Sequence, residues 1–248
     1  MQAEQAHPTL RWPAGPAYPV LEAGAVHVWA ALLDRPADKT QALRRLLAPD
    51  EQARADRFRF DVHRDRYIVA RGVLRTLLGR YLAVPPQRVQ FVYSAHDKPS
   101  LPGRQLAFNV SHSQQVGLFA FCPETAVGVD VEQIRPMPDG EEIAARFFSA
   151  DDNARFLAVP PAQRDLAFFN CWTRKEAFIK AIGEGLSHPL DVFDVTLQPD
   201  EPARILRLHG RAELAARWSL IHLDPADGFV GALALEASPR QVVTYRWE

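Results

Sequence analysis

Arg71-Gly72-Val73-Leu74-Arg75-Thr76-Leu77-Leu78-Gly79 and Lys175-Glu176-Ala177-Phe178-Ile179-Lys180-Ala181-Ile182-Gly183 read as two copies of one device. Each closes a long helix on an aliphatic residue followed by glycine, a common helix stop. Around the first, Tyr67, Val69, Ala70, Val73, Leu74, Leu77 and Leu78 recur at helical spacing and predict a helix over 65–81. The second predicts a helix over 165–182, ended by Gly183 and Gly185. In each half a strand comes first, then a shorter helical stretch, then the long helix, then another strand. A period of roughly 100 residues means a duplicated domain-sized unit and not a solenoid. The fold class that follows is α+β, built of two similar halves. Clefts between such units are preferred ligand sites.

Working outward, residues 1–24 carry Pro8, Pro13, Pro16 and Pro19 and read as an extended arm. The first half spans 25–125 and the second 126–248. Strands are expected at 27–33, 89–93, 126–132, 192–197 and 229–235, where apolar and β-branched residues run or alternate. Residues 108–121 read as two strands around a polar turn at Ser111-His112-Ser113-Gln114-Gln115. A helical stretch is expected over 41–60, and short helices over 143–148 and 149–159. A Ser149…Asp152 pair would open the last of these.

The chain has 248 residues, 47% of them hydrophobic, which is enough for a substantial core. With 29 basic and 30 acidic residues the net charge is −1, too neutral for a protein that grips nucleic acid by charge. No apolar run reaches the ~18–20 residues of a membrane span; the longest, 25–33, is interrupted by His27. There is no basic patch followed by an apolar stretch at the start, so a secretory signal is not expected. Two cysteines, Cys122 and Cys171, make no disulfide framework and fit a reducing cytoplasm. Positive charge is written as 25 arginines and only four lysines: Lys39, Lys98, Lys175 and Lys180. Guanidinium stays protonated whereas an ammonium can lose its proton, so each lysine is a candidate for a task arginine cannot do. Lineage bias would explain the same count.

Asp130 and Glu132 are two apart on a strand, so both carboxylates lie on one face while Val129 and Val131 point the other way. Two like charges on one face call for a cation between them, unless this is a solvent-facing strand edge. Glu176 and Lys180, four apart, share a helix face. They could equally be an exposed ion pair, or Thr173-Arg174-Lys175-Glu176 could be a capping box. Taken together, three carboxylates suit one hard cation, Mg²⁺. Ser111-His112-Ser113 offers hydroxyls and an imidazole that suit a phosphate, or it is ordinary turn chemistry. Arg54, Arg57, Arg59, Arg64, Arg66, Arg71 and Arg75 form a basic cluster. They are a solvated helix face from which one or two could grip a phosphate. Neither a G-x-x-x-x-G-K-[ST] nor a G-x-G-x-x-G loop occurs.

Five motifs in order carry a resemblance: Lys98-Pro99; Phe108-Asn109-Val110-Ser111-His112-Ser113; Gly128-Val129-Asp130-Val131-Glu132; 172–180; and Gly183-Glu184-Gly185-Leu186-Ser187. The chain closely resembles the 4′-phosphopantetheinyl transferases, of the long Sfp (surfactin-synthetase-activating) type. The resemblance covers roughly residues 26–236. It implies two α+β halves related by a pseudo-twofold, with the active site in the cleft between them. The implied reaction moves the phosphopantetheine arm of coenzyme A onto a serine of an apo acyl or peptidyl carrier protein, releasing 3′,5′-ADP. By position, Asp130, Glu132 and Glu176 match the family's Mg²⁺ ligands, with Mn²⁺ able to replace Mg²⁺. Lys180 matches the pyrophosphate lysine. Arg66, Ser111 and His112 match phosphate contacts, and Lys98-Pro99 matches the loop beside the adenine. The chain departs from the family in two places. Arg54, Arg57 and Arg59 stand where lysine often serves the 3′-phosphate, and Asp152 stands where a motif usually ends in Glu.

The catalytic residues expected from this resemblance are Glu176, as general base toward the carrier serine, and Lys180, at the leaving group. The expected protein is a cytoplasmic monomer, its second copy replacing a partner subunit, with no nucleic-acid or membrane partner. Two other readings compete. One is a Mg²⁺-dependent phosphohydrolase or nuclease, disfavoured by neutral charge and by the lack of an Asp…Glu-x-Lys triplet. The other is a non-catalytic coenzyme A or carrier-binding protein, disfavoured by the intact acids and Lys180.

Overall fold

Val116–Cys122 is buried at every position, so this strand is covered on both faces. In the computed structural model, which describes residues 8–94, 98–104, 106–123, 125–183 and 188–248, its side chains divide by alternation. Phe119 and Phe121 enter a core with Val69, Val73, Leu74 and Leu77. Val116, Leu118 and Ala120 enter another with Val127, Val129 and Val131.

The chain runs β1 (Ala25–Leu32), α1 (Ala37–Arg44), α2 (Pro49–Ala55), α3 (Asp61–Leu82), β2 (Val92–Tyr93), β3 (Pro99–Ser100), β4 (Ala107–Ser113) and β5 (Val116–Cys122). It continues with β6 (Val127–Gln133), α4 (Gly140–Phe147), α5 (Ala150–Leu157), α6 (Arg164–Ile182), β7 (Phe193–Val195), β8 (Ile205–Leu208), α7 (Ala212–Ala215), β9 (Ser219–Leu223), β10 (Phe229–Leu235) and β11 (Gln241–Arg246). The repetition is close, with α7 and β11 as additions in the second half. Each half has a strand, two short helices, a long helix, a two-stranded ribbon and two more strands. The sheets repeat too: β1-β5-β4 and β6-β10-β9 are both antiparallel, with the last strand of the half in the middle.

Helix α3 covers the outer face of the first sheet and α6 that of the second, through Ala177, Phe178, Ile179 and Ala181 against Val230, Ala232 and Ala234. The inner faces of the two sheets share the third core. The α+β, two-half expectation holds. The closing strand β11 pairs in parallel with β1, so residues 241–246 complete the first half's sheet. The arm is fastened as well: Leu10 bridges Ala226, Ala14 bridges Arg246, and Trp12 is buried. Among the described residues no helix is long and apolar enough to cross a membrane.

Some expected boundaries need correction. The stretch 41–60 is not one helix: it breaks after Arg44, and Pro49 starts α2 at the first helical position, where its missing N–H costs nothing. The strand at 89–93 shrinks to Val92–Tyr93, because Pro86–Arg88 forms a tight 3₁₀ turn. Ser111, His112 and Ser113 are not a turn. They belong to β4, and only Gln114 and Gln115 reverse the chain, with Gln114 at φ +49°. Their polarity suggested a turn because an inward-facing polar face looks, in sequence, like solvent exposure. The segment 192–197 is a 3₁₀ turn at Leu190–Val192 followed by the short β7.

Candidate active site

Gly128 decides how close the two sides of the site come. A Cβ there would lie 2.0 Å from the Ala177 carbonyl oxygen and 2.4 Å from the Ala181 nitrogen. With no side chain, the α6 backbone rests directly on β6. Val129 and Val131 point into the inter-sheet core, so Asp130 and Glu132 point toward the helix that carries Glu176 and Lys180. Gly183, at φ +84°, then ends α6 in the left-handed conformation. Glu184, Gly185, Leu186 and Ser187 lie outside the described residues.

The carboxylates differ in their partners. Asp130 is buried; its Oδ1 accepts from Lys180 Nζ at 2.6 Å and from Ser111 Oγ at 2.7 Å. Its Oδ2 is buried without a hydrogen bond. Glu132 is half-buried, and its Oε2 accepts from Ser113 Oγ at 2.6 Å. Glu176 is 7% exposed, and its Oε1 is buried without a partner. Burial first, and then the charges of Asp130 and Glu132, push the Glu176 carboxyl up to about 7, against the opposing pull of Lys180. Burial likewise raises Glu132. Glu176 is therefore neither an exposed ion pair nor a cap, since α6 began twelve residues earlier at Arg164. Among the described residues no three His, Cys, Asp or Glu side chains are gathered into a ready metal cage. In place of a ready three-carboxylate site, the Lys180 ammonium engages one oxygen of Asp130.

The other expected residues surround this point. His112 is exposed on the rim, with the charges of Lys180 and Arg66 bearing on it. Arg66 is engaged bidentately by Asp34, at 2.6 and 2.9 Å, and also donates to Gln114 Oε1 at 3.2 Å. Lys98 Nζ donates to the Lys180 carbonyl, so the first half's ribbon caps the last turn of α6. Burial, then the Lys180 charge, lower the Lys98 ammonium's pKa. Lys98 and Pro99 line a cavity of about 360 Å³ with Leu101, Phe108, Val127 and Ile182, drawn from both halves.

Matches to known families fall on both halves. Residues 35–124 match the 4′-phosphopantetheinyl transferase N-terminal family, and residues 126–234 the 4′-phosphopantetheinyl transferase superfamily. The 4′-phosphopantetheinyl transferase HetI of Nostoc sp. (strain PCC 7120 / SAG 25.82 / UTEX 2576) is 40% identical over 214 residues, covering 85% of this chain and 87% of HetI. This chain belongs to the 4′-phosphopantetheinyl transferases. The 4′-phosphopantetheinyl transferase Sfp of Bacillus subtilis (strain 168) is 30% identical over 176 residues, 70% of this chain and 77% of Sfp. The chain is accordingly an enzyme that transfers phosphopantetheine.

Within this transferase the arginine cluster sorts itself. Arg71 and Arg75 are held by the buried Glu51, each at 2.5 Å, and Arg64 by Asp61 and Asp65. Arg54, Arg57 and Arg59 stay exposed; Arg54 lies over the Tyr67 ring and Arg59 over Phe60. Asp152 also finds its place. With Ser149 capping its N–H at 3.0 Å, it is the fully buried counter-ion of Lys175 at 2.7 Å. Lys175 further donates to the Leu190 and Phe193 carbonyls, which an ammonium's three divergent protons can do. Sequence reasoning missed Asp34 and Asn109 as site residues, and offered Ser113 only as a hydroxyl for a phosphate and not as a partner of Glu132. For Asn109 and Ser113 the signal was present, since Asn109, Ser111 and Ser113 are alternate positions of one strand.

Proposed function

We propose that this transferase moves the 4′-phosphopantetheine arm of coenzyme A onto a serine of an apo acyl or peptidyl carrier protein, in a Mg²⁺-dependent step that releases 3′,5′-ADP. One observation carries the reading: Asp130 Oδ2 and Glu176 Oε1 are buried oxygens without partners, in a site where burial, then the charges of Asp130 and Glu132, raise the Glu176 pKa. Buried acceptors left unpaired cost free energy and are kept where a ligand satisfies them. An all-oxygen donor set fits Mg²⁺. Asp130, Glu132 and Glu176 would hold the ion. When bound it supplies charge neutralisation for the diphosphate.

The chain's own groups do the rest. The carrier serine Oγ attacks the pantetheine-side phosphorus, and the bond to the 5′-phosphate oxygen of the adenosine portion breaks. Glu176 takes the serine proton, directly or through a water. Lys180 releases Asp130 Oδ1 to meet charge growing on the departing 3′,5′-ADP. Arg66, Ser111 and His112 orient the phosphates. The cavity beside Lys98 and Pro99 takes the adenine, and Arg54, Arg57 or Arg59 the 3′-phosphate. A single chain supplies both sides of the cleft, which supports a monomer. Cys122 and Cys171 are free and buried, which supports a reducing cytoplasmic setting.

The test is to incubate the protein with coenzyme A, Mg²⁺ and an apo carrier, and weigh the carrier. A gain of one phosphopantetheine, with 3′,5′-ADP in solution and both lost on chelation, is the expected result. Transfer undiminished by EDTA would remove the metal from the reading, and a coenzyme A cleaved without carrier labelling would make it a hydrolase.

A further inference from the structure

Strands β4 and β6 are edge strands of their sheets and are not joined by a backbone ladder. Side chains stitch them. Asn109 Oδ1 accepts the Val129 N–H at 2.9 Å, and Ser111 Oγ donates to Asp130 Oδ1 at 2.7 Å. Ser113 Oγ donates to Glu132 Oε2 at 2.6 Å and accepts the Gln133 N–H at 3.2 Å. Partners advance together along both strands, so the same polar face of β4 that joins the two halves also sets the two carboxylates of β6.

We propose that Ser113 is a positioning residue that fixes the Glu132 carboxylate for the divalent ion. This rests on the metal reading above. The Gln133 N–H decides which way the Ser113 hydroxyl points. An accepted bond occupies one side of the oxygen, and its own proton is directed at Glu132. Both the Ser113 bond and the charge of Arg135, 3.8 Å away, fall on Oε2, so Oε1 is the oxygen left for a cation. Glu132 has the freedom to leave: it is half-buried, and Arg135 on the solvent side is a competing partner. Without the hydroxyl, the carboxylate turns to the guanidinium and the ion loses a ligand. Ser111 differs, since Asp130 is also held by Lys180 and is more deeply buried.

The experiment is Mn²⁺ binding to the full chain with saturating coenzyme A and no carrier, followed by the paramagnetic resonance of free Mn²⁺, so that no turnover enters. Ser113→Ala is expected to weaken Mn²⁺ affinity about 10–100-fold, the usual scale for loss of a group that orients a metal ligand. Ser113→Thr, which keeps the hydroxyl, should restore it. Asn109→Ala breaks the same seam without touching a carboxylate, and should lower thermal stability while changing Mn²⁺ affinity less than Ser113→Ala does. Wild-type affinity in Ser113→Ala, or an equal loss in Asn109→Ala, overturns the assignment and leaves the metal reading intact. Absence of Mn²⁺ binding by the wild-type protein overturns the metal reading and the assignment with it. Should Asn109→Ala not fold, the Ala and Thr variants at 113 still decide.

Discussion

Replacing Glu176 by glutamine should make the metal-free protein more stable while ending transfer. The carboxyl is raised from 4.5 to about 7, first by burial and then by Asp130 and Glu132. A folded-state pKa above the unfolded one means that the fold disfavours the ionised form. The contribution to stability is fully present below pH 4.5 and is lost as pH rises through 7. At 1.36 kcal/mol per pKa unit, the ionised carboxylate costs about 3 kcal/mol at pH 8. Glutamine keeps the shape and carries no charge. For a domain of this size 1 kcal/mol moves Tm by roughly 2–4 °C, so Glu176→Gln in EDTA at pH 8 should melt about 6–12 °C above wild type. The gap should close toward pH 5, and Mg²⁺ with coenzyme A should narrow it by stabilising wild type. Thermal scans at both pH values, alongside the carrier-labelling assay, provide the check. A variant no more stable than wild type at pH 8 refutes the argument that burial, helped by the neighbouring acids, makes the ionised carboxylate costly in the fold.

Gly128→Ala should cost more than about 3 kcal/mol in urea unfolding, at or beyond the top of the usual overpacking range. Its methyl meets backbone on α6 and not a movable side chain. Asp152→Asn should cost about 3–5 kcal/mol by leaving Lys175 charged and uncompensated, and pairing it with Lys175→Met should recover part of that loss in the same assay. Stability should also fall as pH drops through 6.5. His27 is buried, its pKa is lowered by burial, and its Nδ1 faces the Tyr81 hydroxyl at 2.8 Å. The neutral ring is the folded form, so protons bind the unfolded chain first, at up to about 1.4 kcal/mol per pH unit. Urea midpoints between pH 7 and 5, measured in Glu176→Gln so that the opposite slope of that carboxyl is absent, should fall, and fall less in His27→Phe.

Repetition made the fold legible. The two long helices share a pattern, although Gly79 lies inside α3, which runs on to Leu82 and a left-handed Ala83, whereas Gly183 does end α6. Strand and helix periods announced most of the other elements. What stayed hidden has physical causes. β11 is only half-buried along its length, so its pattern carries no clear alternation, and its partner β1 lies more than two hundred residues away. The three acids were readable from spacing, since one strand face and one helix face sufficed. Their actual partners were not, because Lys180 could have met Glu176 along the helix yet meets Asp130 on the neighbouring strand β6. The sparse lysines proved informative. Lys98, Lys175 and Lys180 each give an ammonium to a carbonyl or carboxylate from a different element, where a flat, forked guanidinium would fit poorly. Asp152 could be placed only once the fold brought Lys175 against it.

The seam between β4 and β6 explains why the polar residues cluster where they do. A continuous backbone ladder would have closed the inter-sheet edge without calling on side chains, leaving Asp130 and Glu132 to find their own partners. Side-chain stitching makes the same bonds serve twice: each serine that holds the halves together also orients an acid. The arrangement leaves a deficit, since Asp130 Oδ2 and Glu176 Oε1 are buried with nothing to accept from. Three apolar cores, one under each long helix and one between the sheets, carry the fold and let it tolerate that deficit. If so, stability and transfer should trade against each other at Glu176 and Asp130 and nowhere in those cores, where truncations should cost stability without altering the metal dependence of what activity remains.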